Sequence, residues 1–249
     1  MSELTLQLVV FLIGITAGFA DSTVGSGGLI SIPALIFLGF PPQVAIATDR
    51  LGSVGQTAAA LVKFWRAKKI HWRLVPMFTL LAVLGSLVGA RLLITVNADV
   101  LQKIVGFLLI LLLPFLFYNK PIGIKPYHPS FLKTTVGLVI YFLIMVYNGF
   151  FGTGSGPFAL YTALYFFGLT IIEANATGTL PWFILSISSL VVFANNGIID
   201  YQNGVMLLLG MTIGGWLGAR TAVVKGDAWI RKLFIAVVIL SSVKLLFWS

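Results

Sequence analysis

Apolar residues run along this chain in long blocks, broken by short polar or glycine-rich stretches. They show neither the alternation of a half-buried strand nor the one-sided stripe of a surface helix. The blocks lie at 4–20, 29–40, 44–64, 73–95 and 100–118, and again at 131–151, 156–168, 173–195, 204–224 and 229–248. A helix of about 20 apolar residues crosses a hydrocarbon core of about 30 Å. The pattern therefore predicts an all-α polytopic membrane protein with ten segments. The second and seventh are short, and each follows a glycine-rich stretch. The start, Met1-Ser2-Glu3, is acidic and no cleavage region follows, so 4–20 reads as a membrane segment of the mature chain.

The halves repeat. A shift of 129 residues lays Gly25-Ser26-Gly27 on Gly154-Ser155-Gly156 and Gly39 on Gly168. Ala45, Ala47 and Thr48 fall on Ala174, Ala176 and Thr177, and Gly85, Gly89, Ala90 and Arg91 on Gly214, Gly218, Ala219 and Arg220. Apolar matches arise by chance in such a chain, whereas glycine, threonine and arginine matches in constant register do not. The organisation expected is a first repeat at 1–118, a cytoplasmic linker at 119–130 and a second repeat at 131–249.

Composition excludes the other classes. Of 249 residues 59% are hydrophobic and 9% charged, too few charges to coat a soluble globule. With no cysteine and two histidines, disulfides, thiolate metal sites and iron–sulfur clusters are excluded, and no cofactor is expected. The net charge of +9 is explained by its distribution rather than by nucleic acid. Lys and Arg mark cytoplasmic loops. The loop at 63–73 carries five of them, whereas its repeat mate at 194–204 carries none and has Asp200. The loop at 220–232 carries four, against Arg91 and Lys103 in its mate. Both termini outside and five segments per half put 12 of the 16 basic residues inside and give the halves opposite orientation. Inverted repeats point to alternating-access transport, with the site near the midplane between the halves.

Candidate chemistry lies at the two breaks. Asp21-Ser22-Thr23-Val24-Gly25-Ser26-Gly27-Gly28 interrupts the first half, and Asn148-Gly149-Phe150-Phe151-Gly152-Thr153-Gly154-Ser155-Gly156-Pro157 the second. Each reads as the tip of a hairpin dipping into the membrane, since irregular backbone at that depth is tolerated only where it is buried or lines a cavity. A restarting helix exposes backbone N–H groups that hold an anion. Ser22, Thr23, Ser26, Thr153 and Ser155 add hydroxyl donors and Asn148 an amide. The alternative at such glycines is close helix packing, which is the reading taken for Gly85/Gly89 and Gly214/Gly218.

The third and eighth segments open on polar residues, with Thr48, Asp49 and Arg50 in one and Asn175 and Thr177 in the other. The threonines either donate to a ligand or cap their own helices. Gln56 is placed to line the cavity. Arg50 offers a permanently charged fork to an oxyanion, and Asp21 and Asp49 are the candidates for proton coupling. The alternative for Asp49 and Arg50 is a self-neutralising pair at the membrane surface. Glu173 reads as solvated.

The order Gly14-x-x-x-Gly18, Gly25-Ser26-Gly27-Gly28, Pro33, Gly39 and Ala45-x-Ala47-Thr48 resembles the TauE/SafE-like sulfite and organosulfonate exporter family. The pattern recurs more weakly at Gly154-Ser155-Gly156, Gly168 and Ala174-x-Ala176-Thr177. Asp49 departs from it, standing where a small or uncharged residue is expected. The resemblance implies a multi-pass carrier of the inner membrane, often an exporter, for a small sulfite, sulfonate, thiosulfate or carboxylate anion. An anion channel and an intramembrane enzyme are the rival readings. The second lacks paired carboxylates at catalytic spacing and a histidine within a segment.

Overall fold

The computed structural model describes residues 2–25, 27–97, 100, 129–152 and 154–247, with backbone alone beyond residue 226. Every regular element among the described residues is helical. In chain order they are α1 (Glu3–Val24), α2 (Gly28–Phe37), α3 (Pro42–Arg66), α4 (Val75–Thr95), α5 (Phe131–Phe150), α6 (Ser155–Phe167), α7 (Ile171–Asn195) and α8 (Tyr201–Phe247), the last broken by an extended left-handed Gly226. Each sequence segment that falls on described residues lies on one of these helices. The expected fifth segment at 100–118 and the linker at 119–130 lie outside them, apart from residues 100, 129 and 130.

Local chemistry sets the ends. The Ser2 hydroxyl accepts the Thr5 N–H at 3.3 Å and starts α1, which stops where Gly25 turns left-handed at φ 68°. Ser130 caps α5 in the same way. Helix α7 opens on a capping box in which Thr170 and Glu173 satisfy each other's backbone N–H groups. The 10 residues of α2 and 13 of α6 give lengths of about 15 and 20 Å at 1.5 Å per residue, short of a full crossing. Among the described residues, five helical stretches are long and apolar enough to cross a membrane: α1, α4, α5, α7 and residues 201–226 of α8.

Polarity is distributed for a lipid solvent. Leu4, Leu8 and Leu12 of α1, Leu80, Leu84, Val88 and Leu92 of α4, and Val205, Leu209 and Ile213 of α8 form exposed apolar stripes at four-residue spacing. Helix α3 carries Asp49, Arg50, Lys63 and Arg66 and is not among the five, yet Asp49, Arg50, Gln56 and Thr57 on it are buried. Its neighbours α1, α2, α7 and α8 shield it. The most polar of the described long helices is thus packed among four others. The chain is a multi-pass helical membrane protein.

Related helices pack in related ways. Helix α1 lies along α8 as α5 lies along α4, and α3 contacts α8 as α7 contacts α4. Glycines permit these approaches. A Cβ on Gly14 would lie 2.8 Å from Leu207 O, and one on Gly85 would lie 2.7 Å from Met145 Cβ. Gly89, Gly214 and Gly218 likewise sit against neighbouring backbone, in keeping with the packing reading. Helices α3 and α7 contact each other and run antiparallel. The start of α3 meets the loop after α7, and the start of α7 meets the loop after α3.

Candidate functional site

Both broken tips lie at the centre of this bundle and touch. A Cβ added at Gly25 would lie 2.8 Å from Gly156 Cα. In the first tip α1 ends at Gly25 and α2 restarts at Gly28. Asp21 Oδ1 accepts the Gly27 N–H at 2.9 Å, and the Ser31 hydroxyl donates to Asp49 Oδ1, so carboxylates from α1 and α3 both hold the start of α2. Gly27 is obligatory here, since a Cβ would stand 2.6 Å from both Ala17 O and Asp21 Cβ.

The second tip is built without a carboxylate. Gly152 and Gly154 turn left-handed, at φ 77° and 74°, between α5 and α6. Asn148 Nδ2 donates to Ser155 Oγ at 2.7 Å, and Ser155 Oγ to Gly152 O at 2.8 Å. Arg50 completes this tip from α3, donating from Nη1 to Asn148 Oδ1 at 2.9 Å and from Nη2 to Asn148 O at 2.6 Å. Its buried Nε has no hydrogen-bond partner. An unpartnered guanidinium N–H in a dry site is costly unless something accepts from it.

Two small adjoining cavities, each of about 30 Å³, flank the tips. The first is lined by Asp21, Gly25, Gly28, Asp49, Arg50, Asn148 and Ser155, together with Ser53, Thr57, Trp182 and Ser186. The second is lined by Ser22, Gln56, Gly156 and Asn175, with Asp21, Thr57 and Trp182 shared. Gln56 Nε2 donates to Ser22 Oγ at 2.6 Å while its Oε1 lacks a partner, and Asn175 Nδ2 donates to Thr23 O at 3.1 Å. Most expected site residues are therefore gathered in one place, with Gly27 and Gly154 shaping the tips. Ser26 and Thr153 lie outside the described residues.

Thr48 and Thr177 stand apart from these cavities. Neither caps its helix, because α3 starts behind Pro41 and α7 behind Thr170. Instead Thr48 Oγ1 accepts the Asp200 N–H at 3.2 Å, and Thr177 Oγ1 accepts the His71 N–H at 3.0 Å. The same 129-residue shift relates both partners, so each half closes a loop of the other. Replacing either threonine by valine leaves a loop N–H without its acceptor at a fully buried position. We expect a loss of about 1–3 kcal/mol for each, read as a lowered unfolding midpoint of the purified protein. An unchanged midpoint for both would remove this role.

One alternative falls away and one expectation needs correction. Asp49 and Arg50 are not a surface pair: each is 5% exposed, and Arg50 turns to Asn148 across 98 residues of sequence. Glu173 is not simply solvated. Its Oε2 accepts the Thr170 N–H at 2.9 Å, and its Oε1 lies 3.1 Å from His71 Nε2. Sequence reading missed Ser31, Ser53, Thr57, Trp182 and Ser186. The repeat held the signal for four of them, since the shift that relates the glycines also pairs Ser53 with Trp182 and Thr57 with Ser186.

Comparison with known proteins gives a consistent result. The family profile described as "Sulfite exporter TauE/SafE" matches residues 10–245. A "Probable membrane transporter protein" of Haemophilus influenzae is 26% identical over 97% of this chain and 95% of its own length. The "Probable membrane transporter protein YfcA" of Escherichia coli K12 is 30% identical over 97% and 90%, respectively. The "Probable membrane transporter protein ORF9" of a Sinorhizobium species is 29% identical over 99% and 95%. No solved structure matches.

Proposed function

The chain belongs to the TauE/SafE sulfite exporter family of membrane transporters, and on that premise we propose that it is a secondary carrier of a small sulfur-containing or organic anion. The observation that carries this reading is the buried Arg50, whose Nε lacks a partner, beside a helix start that holds no carboxylate. Arg50, Asn148, Ser155 and the backbone at the start of α6 form the anion cradle. Asp21 and Asp49 face the same cavity and are the groups through which a proton would couple. Export follows the inside-negative potential, which assists an outward anion by about 2.3 kcal/mol per charge per 100 mV.

The mechanism we propose is alternating access in an inner-membrane protein of ten segments, built as two inverted five-segment repeats with both termini outside. Three features support it: the antiparallel run of α3 and α7, the reciprocal threonine bonds, and the gathering of basic residues at one end. There Lys63 of α3 lies 4.0 Å from the Trp216 ring centroid and Arg220 of α8 lies 5.5 Å from it. The cavities of about 30 Å³ offer roughly the room of two waters, so substrate entry requires the tips to separate.

A thermal-shift series on purified protein tests the site. Sulfite, sulfate, thiosulfate, sulfoacetate, short carboxylates and phosphate are the ligands to compare. At a hundred times its Kd a bound anion adds about 2.7 kcal/mol of stability. The reading fails if none shifts the midpoint, or if Gly27→Ala and Ser155→Ala leave binding intact. Topology is tested by single cysteines at Lys68 and Asp200 in this cysteine-free chain. Impermeant reagents are expected to label them from opposite faces, and labelling from the same face would overturn the inverted arrangement.

A further inference from the structure

Both tips turn on a left-handed glycine at matching positions, Gly25 and Gly154, but they differ in charge. Asp21 already occupies the first, where its Oδ1 takes the Gly27 N–H at the start of α2. The shift of 129 residues places Phe150 at the position matching Asp21 and Gly178 at that matching Asp49, so no carboxylate stands in the equivalent places of the second half. Three charged side chains line the cavity between the tips: Asp21 from α1, and Asp49 and Arg50 from α3. The lining contributed by α5, α6 and α7 is uncharged.

We infer that Asp21 acts as a built-in anion on the first tip, so that the substrate binds at the second tip alone and must carry a single negative charge. The inference rests on the anion-carrier reading above and narrows its substrate class. The partition of donors supports it. Each carboxylate has its own donor, Gly27 N–H for Asp21 and the Ser31 hydroxyl for Asp49, whereas the Arg50 Nε–H has no acceptor. With both carboxylates ionised, the charged lining already nets one negative charge, two carboxylates against one guanidinium. A monoanion pairs with Arg50 at close range, whereas each further charge on the ligand adds net repulsion in a site of low effective dielectric. Asp21 is thus a specificity residue, selecting by valence rather than by shape.

Methanesulfonate and sulfate are the probes, because they share a tetrahedral sulfur and differ mainly in charge at neutral pH. Binding is measured calorimetrically on the full-length purified protein at matched ionic strength. The wild type is expected to bind methanesulfonate at least about tenfold more tightly than sulfate. Asp21→Asn keeps an oxygen acceptor for Gly27 N–H but removes the charge, and it should shrink that ratio about tenfold or more. Asp49→Asn tests the second carboxylate and should move the ratio in the same direction. Equal or tighter sulfate binding by the wild type overturns the inference, as does a ratio unchanged in Asp21→Asn. In either case anion binding itself remains. If the wild type binds neither probe nor any other anion of the series above, the carrier reading fails and takes this inference with it.

Discussion

Arg50→Lys is expected to lower anion affinity about ten- to a hundredfold while leaving the charge in place. The guanidinium uses both terminal nitrogens on Asn148, through the side-chain oxygen at 2.9 Å and the backbone oxygen at 2.6 Å, and keeps Nε for a ligand. A lysine ammonium presents its three donors from one atom and lacks the planar fork. It cannot span both Asn148 oxygens and also serve the cavity. Hydrogen bonds to charged groups contribute about 1.5–3 kcal/mol each. Losing the Nε bond to the ligand therefore corresponds to about 1.5–3 kcal/mol, and each 1.4 kcal/mol is a factor of ten. Arg50→Gln is expected to act differently. It removes the only positive charge among the described residues lining a cavity that also holds Asp21 and Asp49, so stability falls along with binding, by about 3–5 kcal/mol for a broken buried charge arrangement. Calorimetry and the unfolding midpoint separate the two effects. Arg50→Lys binding within threefold of wild type would remove Arg50 from the site.

Adjacent residues explain why Asp49 and Arg50 were open to misreading. Neighbours on a helix point about 100° apart, so side chains at i and i+1 do not face each other. A self-neutralising pair was therefore poorly placed to form, and each residue found a partner from another element, Ser31 for Asp49 and Asn148 for Arg50. The glycine tips, by contrast, were legible, because dense glycines between apolar blocks leave few other structures. The remaining cavity lining was hidden by ordinary chemistry. Thr57 Oγ1 returns its proton to Ser53 O at 2.6 Å, as hydroxyls inside membrane helices do, so nothing in its local sequence marks it. Thr48 was singled out by the repeat, but its partner Asp200 lies 152 residues away. Local pattern reports a buried polar residue, whereas its partner is fixed only when the helices are assembled.

Gly156→Ala is expected to uncouple the two tips, with a larger effect on transport than on folding. A Cβ at Gly156 would stand 2.5 Å from Gly25 Cα, and both atoms belong to tip structure rather than to flexible side chains. Gly25 cannot yield by changing residue or angle easily, because its φ of 68° lies in the left-handed region where L side chains are strained. The Gly25 backbone oxygen lies closer still, so the tips must move apart, at a cost at or above the top of the about 1–3 kcal/mol typical of overpacking. The added methyl keeps the helix starts apart, and the cradle depends on the position of α6, since Ser155 lies one residue before Gly156 and bonds Asn148 at 2.7 Å. Preorganised donors lose most of their effect when displaced by about 1 Å. Transport into liposomes should therefore fall more than tenfold at equal reconstituted protein, with a correctly folded chain by size exclusion. Gly178→Ala calibrates the stability readout. Its Cβ would meet only Trp182 Nε1 within 4 Å among the described residues, at 3.9 Å, in the turn of α7 before Pro181, where alanine is worth up to about 1 kcal/mol over glycine. If Gly156→Ala matches wild type in transport, the tips do not need to meet, and the site between them would have to be redrawn around α3 and α5 alone.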